Sequence, residues 1–200
     1  MLNETYNDFK TGFKMLIVFI VITGLIYPLL ITGINQTLFH NKANGSLVNV
    51  NGKLVGSLLI GQSFTGDQFF NSRPSATTPF AYNPLDSRGS NFATTNPELA
   101  KHAEPLILKF HKYDNESKIP IDLVTSSGSG LDPHISVAGA YLQAPIIAKS
   151  RNISESKLIA LIKQYTINPF NGFTGNPYVN VLQLNLELLK VETDDYEKKA

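Results

Sequence analysis

The residues best equipped for chemistry in this chain cluster in positions 125–136, which read TSSGSGLDPHIS. A strand, a glycine-rich turn and a helix starting at Asp132-Pro133 are the expected elements here. Together they are the ingredients of an anion site, because free N–H groups and the helix dipole point at the ligand. Three features oppose that reading. No lysine follows the glycines, Pro133 stands where a G-x-G-x-x-G motif has its third glycine, and Asp132 puts a carboxylate where the anion would sit. On the competing reading, Gly128 and Gly130 supply turn conformations and Asp132 is a helix cap. Ser129, Asp132 and His134 also have the residue types of a hydrolase triad. Residues two apart on a helix or turn do not face each other, however, and Gly128-Ser129-Gly130 lacks the G-x-S-x-G spacing. No paired carboxylates stand out elsewhere, so no catalytic residue is assigned.

Composition removes other classes. Seventeen Lys+Arg against sixteen Asp+Glu give a net charge of +1, so no global field recruits nucleic acid. The absence of cysteine excludes disulfides, thiolate catalysis and cysteine-ligated metals. His40, His102, His111 and His134 are scattered, without the helical spacing of a zinc site, and no metal ligand is assigned. With 42% of its 200 residues hydrophobic, the chain can bury a core.

The elements that must position these residues begin with an anchor. Residues 15–34, MLIVFIVITGLIYPLLITGI, carry no charge and would span roughly 30 Å as a helix, the thickness of a bilayer's hydrocarbon core. A cleaved signal peptide has a shorter apolar region and a small-residue cleavage site, so a retained single-pass helix over residues 13–36 is expected. Pro28 should bend it near Gly24. Gly24, Pro28 and Gly33 suggest packing against other membrane helices. Lys10 and Lys14 precede the span more closely than Lys42 and Lys53 follow it, which favours a cytoplasmic N-terminus and a domain outside the cell. The division expected is a tail (1–12), the membrane helix (13–36), one mixed α/β soluble domain (37–192) and a charged tail (193–200).

Within the domain, Asn51-Gly52 predicts a hairpin between strands at 46–50 and 53–60. Residues 71–97 read as a long loop whose Arg73, Tyr82 and Arg88 offer recognition chemistry. Asn96 and Pro97 start a helix with Leu99, Ala103, Leu106, Ile107 and Phe110 on one face. A strand is expected over 119–125, a helix from Asp132-Pro133 that breaks near Ala144-Pro145, and a helix capped by Ser154. Residues 178–190 fit a strand and a helix equally.

These residues carry a family resemblance. Ser57-Leu58-Leu59-Ile60-Gly61-Gln62-Ser63-Phe64, Arg73-Pro74-Ser75-Ala76, Asp122-Leu123-Val124-Thr125, the run from Ser127 to Ser136, Gln143-Ala144-Pro145 and Val179-Asn180-Val181-Leu182 together resemble the C chain of the potassium-transporting P-type ATPase, the KdpC family. The resemblance covers about residues 13–190. It implies an accessory, non-catalytic subunit of a high-affinity, ATP-driven potassium uptake complex in the cell membrane. Its implied partners are a channel-like potassium-translocating subunit, an ATP-hydrolysing P-type subunit and a small single-helix subunit. The implied role is assembly, with a raised ATP affinity of the catalytic subunit. ATP and potassium would act through the complex, with no cofactor held by this chain alone. Ser129, Gly130, Asp132, His134 and Gln143 are the segment to which the resemblance attaches nucleotide-related function. The competing class is an anchored extracytoplasmic solute-binding or hydrolase domain, which should show convergent titratable groups that this sequence lacks. If the domain is instead cytoplasmic, residues 127–136 would lie near nucleotide.

Overall fold

A computed structural model describes residues 2–113, 116, 118–172 and 174–197. The end of the charged tail, residues 198–200, lies outside the described residues. The chain divides into two compact units, Met1–Ser46 and Leu47–Ala200.

The first unit is helical. Helix α1 (Leu2–Val21) runs into a π-helical turn (Ile22–Ile26), then α2 (Tyr27–Leu38) and a short α3 (His40–Ala43). The helix that carries the apolar run covers 36 residues, Asn3–Leu38. At 1.5 Å per residue that is about 54 Å, more than the roughly 30 Å of hydrocarbon in a bilayer. Residues 2–12 are thus helical, with Phe9 and Phe13 stacked one turn apart at 6.5 Å between ring centroids. The expected irregularity near Gly24 is the π-turn. Pro28 has no N–H to offer the Gly24 carbonyl, and Tyr27 N–H bonds back five residues to the Ile22 carbonyl.

In the second unit, strands β1 (Leu47–Val50) and β2 (Lys53–Ser57) form the expected antiparallel hairpin. Asn51 and Gly52 both have positive φ, +50° and +75°, as a type I′ turn requires. Helix α4 (Pro97–His111) starts where expected, with the Asn96 side chain accepting from Glu98 N–H at 2.9 Å. The core gathers around α5 (Val137–Arg151), α6 (Glu155–Gln164) and α7 (Val181–Glu197). Ala140, Ile147, Leu158, Ile162, Leu184 and Leu188 are fully buried there. A two-stranded antiparallel sheet of β3 (His134–Ser136) and β4 (Tyr178–Asn180) leads into α5 and α7, with Ile135 opposite Val179.

Three expected elements differ. Residues 119–125 form no strand. Pro120 and a 3-10 turn at Ile121–Leu123 replace it, with the Thr125 hydroxyl donating to the Ile121 carbonyl at 2.7 Å. No helix starts at Asp132-Pro133. The chain is extended through β3, and α5 begins at Val137 under a Ser136 cap that accepts from Gly139 N–H at 2.9 Å. Helix α5 also continues through Pro145. Pro145 is exposed, so the carbonyl it leaves unpaired falls on the solvent side, while burial of Gln143, Ala144, Ile146 and Ile147 holds the opposite side. The ambiguous stretch at 178–190 is both things in turn, strand β4 and then helix α7. Asn180 marks the switch, its side-chain oxygen accepting from Gln183 N–H at 3.1 Å.

Candidate functional site

The loop at 71–97 and the glycine-rich run at 125–134 build one site, and neither contains regular structure until β3 begins. Side-chain oxygens hold the loop. The Ser75 hydroxyl donates to the Gly130 carbonyl at 2.7 Å and accepts from Tyr82 N–H at 2.9 Å. The Thr77 hydroxyl donates to the Phe80 carbonyl and accepts from Asn83 N–H at 3.0 Å. Asp86 accepts from Thr78 N–H, the Thr78 hydroxyl and Arg88 Nε at 2.6, 2.9 and 2.8 Å. The hydrogen bond from Thr78 N–H, reinforced by the Thr78 hydroxyl and Arg88, holds the Asp86 carboxyl below the usual carboxylate range.

Arg73 ties the two segments together. Its Nη1 lies 3.4 Å from Asp132 Oδ2, and Nη2 donates to the Ser126 carbonyl at 3.2 Å. Its own carbonyl accepts from the Tyr82 hydroxyl. Burial pushes the Tyr82 phenol up to about 12, so it remains a neutral donor at physiological pH. Arg73 and Tyr82, expected to offer recognition chemistry, therefore turn inward. Arg88 stays half exposed in a pair with Asp86. The loop instead exposes apolar side chains, Leu85 at 94% and Phe80 at 58%.

Glycine is required at the crossing point of the segments. Gly130 has a φ of +68°, and a Cβ there would lie 2.4 Å from the Arg88 carbonyl oxygen. Gly61 N–H donates to the Leu131 carbonyl at 2.8 Å, and its Cβ would fall 2.6 Å from the Asp132 carbonyl oxygen.

The structure places Ser129 and Gly130 in a turn and Asp132 and His134 on the extended segment that follows it. Three of the N–H donors in this stretch are committed within the chain. Gly130 N–H donates to the Ser127 hydroxyl at 2.9 Å, Leu131 N–H to the Ser129 hydroxyl at 3.1 Å and His134 N–H to Asp132 Oδ1 at 2.9 Å. At the actual helix start, Asp122 accepts from Ser136 N–H at 2.6 Å and from the Ser136 hydroxyl at 3.1 Å. The carboxylate facing the α5 dipole is thus Asp122, and Asp132 is a turn-maker and ion-pair partner.

Asp132 and His134 face each other more closely than helical or turn spacing allows, with His134 Nδ1 3.6 Å from Asp132 Oδ1. The reason is the extended backbone, in which residues two apart share a side. The His134 ring also meets Tyr178 edge to face at 4.6 Å. Burial alone would raise the Asp132 carboxyl. The His134 ring and N–H and the Arg73 charge outweigh burial and hold it below its ordinary value.

Gln143 stands apart from this segment. It is 3% exposed in α5, where Oε1 accepts from Asn71 N–H at 2.8 Å and Nε2 donates to the Asn71 carbonyl at 3.1 Å. Asn185 in α7, 1% exposed, does the same for Phe70, with both bonds at 2.9 Å. Two buried amides thus give successive loop residues the pairing a neighbouring strand would give. Sequence reading missed Asn185. The only signal available was an amide among the leucines of residues 182–189.

A family model described as "K+-transporting ATPase, c chain" matches residues 9–190. The chain is 48% identical over 184 residues to the potassium-transporting ATPase KdpC subunit of Methylococcus capsulatus, covering 91% of this chain and 97% of that protein. The subunit of the same name from Paraburkholderia xenovorans is 45% identical, over 91% of this chain and 96% of that protein. Its counterpart in Escherichia coli is 45% identical, over 86% and 92%.

Proposed function

The chain belongs to the family of K+-transporting ATPase c chains, and from that premise we propose that it is the accessory, non-catalytic, single-pass subunit of an ATP-driven potassium uptake complex. The observation that carries this reading is the family match, which begins within the apolar helix and runs through the whole site to residue 190. A channel-like subunit and a P-type subunit handle potassium and ATP, with a small single-helix subunit beside them, and this chain helps the complex assemble. Residues 127–136, with Phe80 and Leu85 exposed on the loop that is bonded to them, present a surface to those partners and hold no nucleotide. The N–H donors of Gly130, Leu131 and His134, already committed within the chain, and the Asp132 carboxylate beside them support this.

We place the N-terminus in the cytoplasm and the domain outside, on the positive-inside bias of Lys10 and Lys14. Any effect on ATP affinity then passes through packed helices that shift the hydrolysing subunit's conformational population. Cysteines introduced at the exposed Thr94 and Ser156 check the topology in this cysteine-free chain. Both should react with a membrane-impermeant maleimide on intact cells, and protection until lysis at both would reverse the orientation.

Assembly is tested in the anchor. Gly24 lies in the π-turn with nothing within 4 Å of where a Cβ would stand, so a larger side chain there disturbs only a neighbour. Gly24→Leu should lower co-purification with the translocating subunits by about threefold, the worth of a modest helix-packing contact in membranes. Val21→Leu should not. Equal recovery of the complex from both variants would remove the anchor from assembly.

A further inference from the structure

Helix α1 runs unbroken from the uncharged stretch at 15–34 back to Leu2, so its N-terminal turns stand outside the hydrocarbon. Those turns carry large aromatic side chains. Tyr6, Phe9 and Phe13 are all exposed, Phe9 at 71%. Counted from Met15 at 1.5 Å per residue, Phe9 stands roughly 9 Å and Tyr6 roughly 13 Å beyond the hydrocarbon. The headgroup layer is only about 5–8 Å deep on each side. Phe13 can therefore serve as an interfacial aromatic, whereas Phe9 and Tyr6 lie past the reach of lipid.

The spacing says what covers them. Tyr6, Phe9, Phe13, Leu16 and Ile20 follow one another at intervals of 3, 4, 3 and 4 residues, the a and d positions of successive heptads. At about 100° per residue they share a stripe about 80° wide. The far side of the same turns carries Glu4, Asn7, Asp8 and Thr11, which suit water. The stripe crosses the membrane boundary without changing sides, and Gly24, assigned above to helix packing, follows four residues after Ile20. Lipid wets a helix all round and selects no narrow seam. A seam of this period is the geometry into which the side chains of a second helix insert. It is too short for a coiled coil to form by itself, so the partner must already be held beside the membrane helix. A second copy fits poorly. Parallel in the same membrane, it would set Thr5 against Lys10 at the flanking g and e positions and offer no counter-charge. We propose that Tyr6, Phe9 and Phe13 form a docking seam for a membrane helix of another subunit that continues, apolar face inward, out of the bilayer beside α1. The inference rests on the accessory-subunit reading and carries its helix contact beyond the lipid.

The test is photocrosslinking in cells that express the whole complex, with benzoylphenylalanine placed at Phe9 or, on the opposite side of the helix, at Thr11. Phe9 should give a product with the mass of this chain plus another subunit, and Thr11 should not. Phe9→Asp should lower recovery of the complex by about tenfold, the worth of one buried aromatic, while Thr11→Asp leaves it unchanged. The proposal is overturned by a product of two copies of this chain, by lipid adducts alone, by equal products from the two positions, or by full recovery with Phe9→Asp. If the parent chain itself recovers no other subunit, the accessory reading has failed and the seam falls with it.

Discussion

The helical core and the loop site are held together by different physics. Around α5, α6 and α7 the contacts are apolar and non-directional, among residues such as Ile147, Leu158, Ile162, Leu184 and Leu188. Such packing tolerates exchange among side chains of similar volume. The 71–97 loop and the 125–134 run have no ladder of their own and rely on single hydroxyls, carboxylates and glycines at fixed points. Each of those points is one of a kind, and a change there has no neighbour to relax into. The lesson is that a segment without regular structure can be the more exacting part of a fold. The two regions meet at Gln143 and Asn185, amides on core helices that bond to loop backbone.

The largest effect should come from that meeting point. Asn185→Ala leaves Phe70 N–H and C=O buried and unpaired, at a cost of about 2–5 kcal/mol. Leu188→Met, equally buried one turn along, should cost less than about 1.5 kcal/mol. Thermal unfolding of both variants would break the contrast if the leucine change proved the more damaging.

Next in size is a comparison of two glycines in the same run. Gly130→Ala should cost about 1–3 kcal/mol from its backbone conformation alone, before the clash with the Arg88 carbonyl is counted. Gly128 has open space around it and no positive φ, so Gly128→Ala should stay within about 0.5 kcal/mol of the parent. Similar melting temperatures for the two would show that the crossing of the segments is not tight.

The smallest effect is a pH dependence. The Asp132 carboxyl is held below its ordinary value in the folded chain, so its stabilisation is fully present above its unfolded pKa of about 3.9. That contribution is lost as pH falls through the lower, folded value. Asp132→Asn should therefore melt below the parent at neutral pH, with the gap closing as the solution is acidified below about pH 4. A gap that stays constant with pH would mean that the Asp132 charge does not contribute to stability.

What could be read in advance follows a physical boundary. The apolar helix, the Asn51-Gly52 hairpin and the Asn96-Pro97 helix start depend on residues within a few positions of one another. Hydropathy, positive φ and a missing N–H express themselves locally, so sequence alone determined those elements. It also fixed the family, through an ordered set of short motifs. Residues 132–137 were not legible in this way, because Asp-Pro is as good a helix start in isolation as Ser136 is. Their extended path was decided by pairing with Tyr178–Asn180, far along the chain, and by Asp122 capturing the Ser136 N–H. The same partner settled the two-natured stretch at 178–190. The inward turn of Arg73 and the clamp by Asn185 likewise belong to tertiary structure. A guanidinium or an amide has the same propensity facing solvent or core, and only the carboxylate or backbone brought against it decides which.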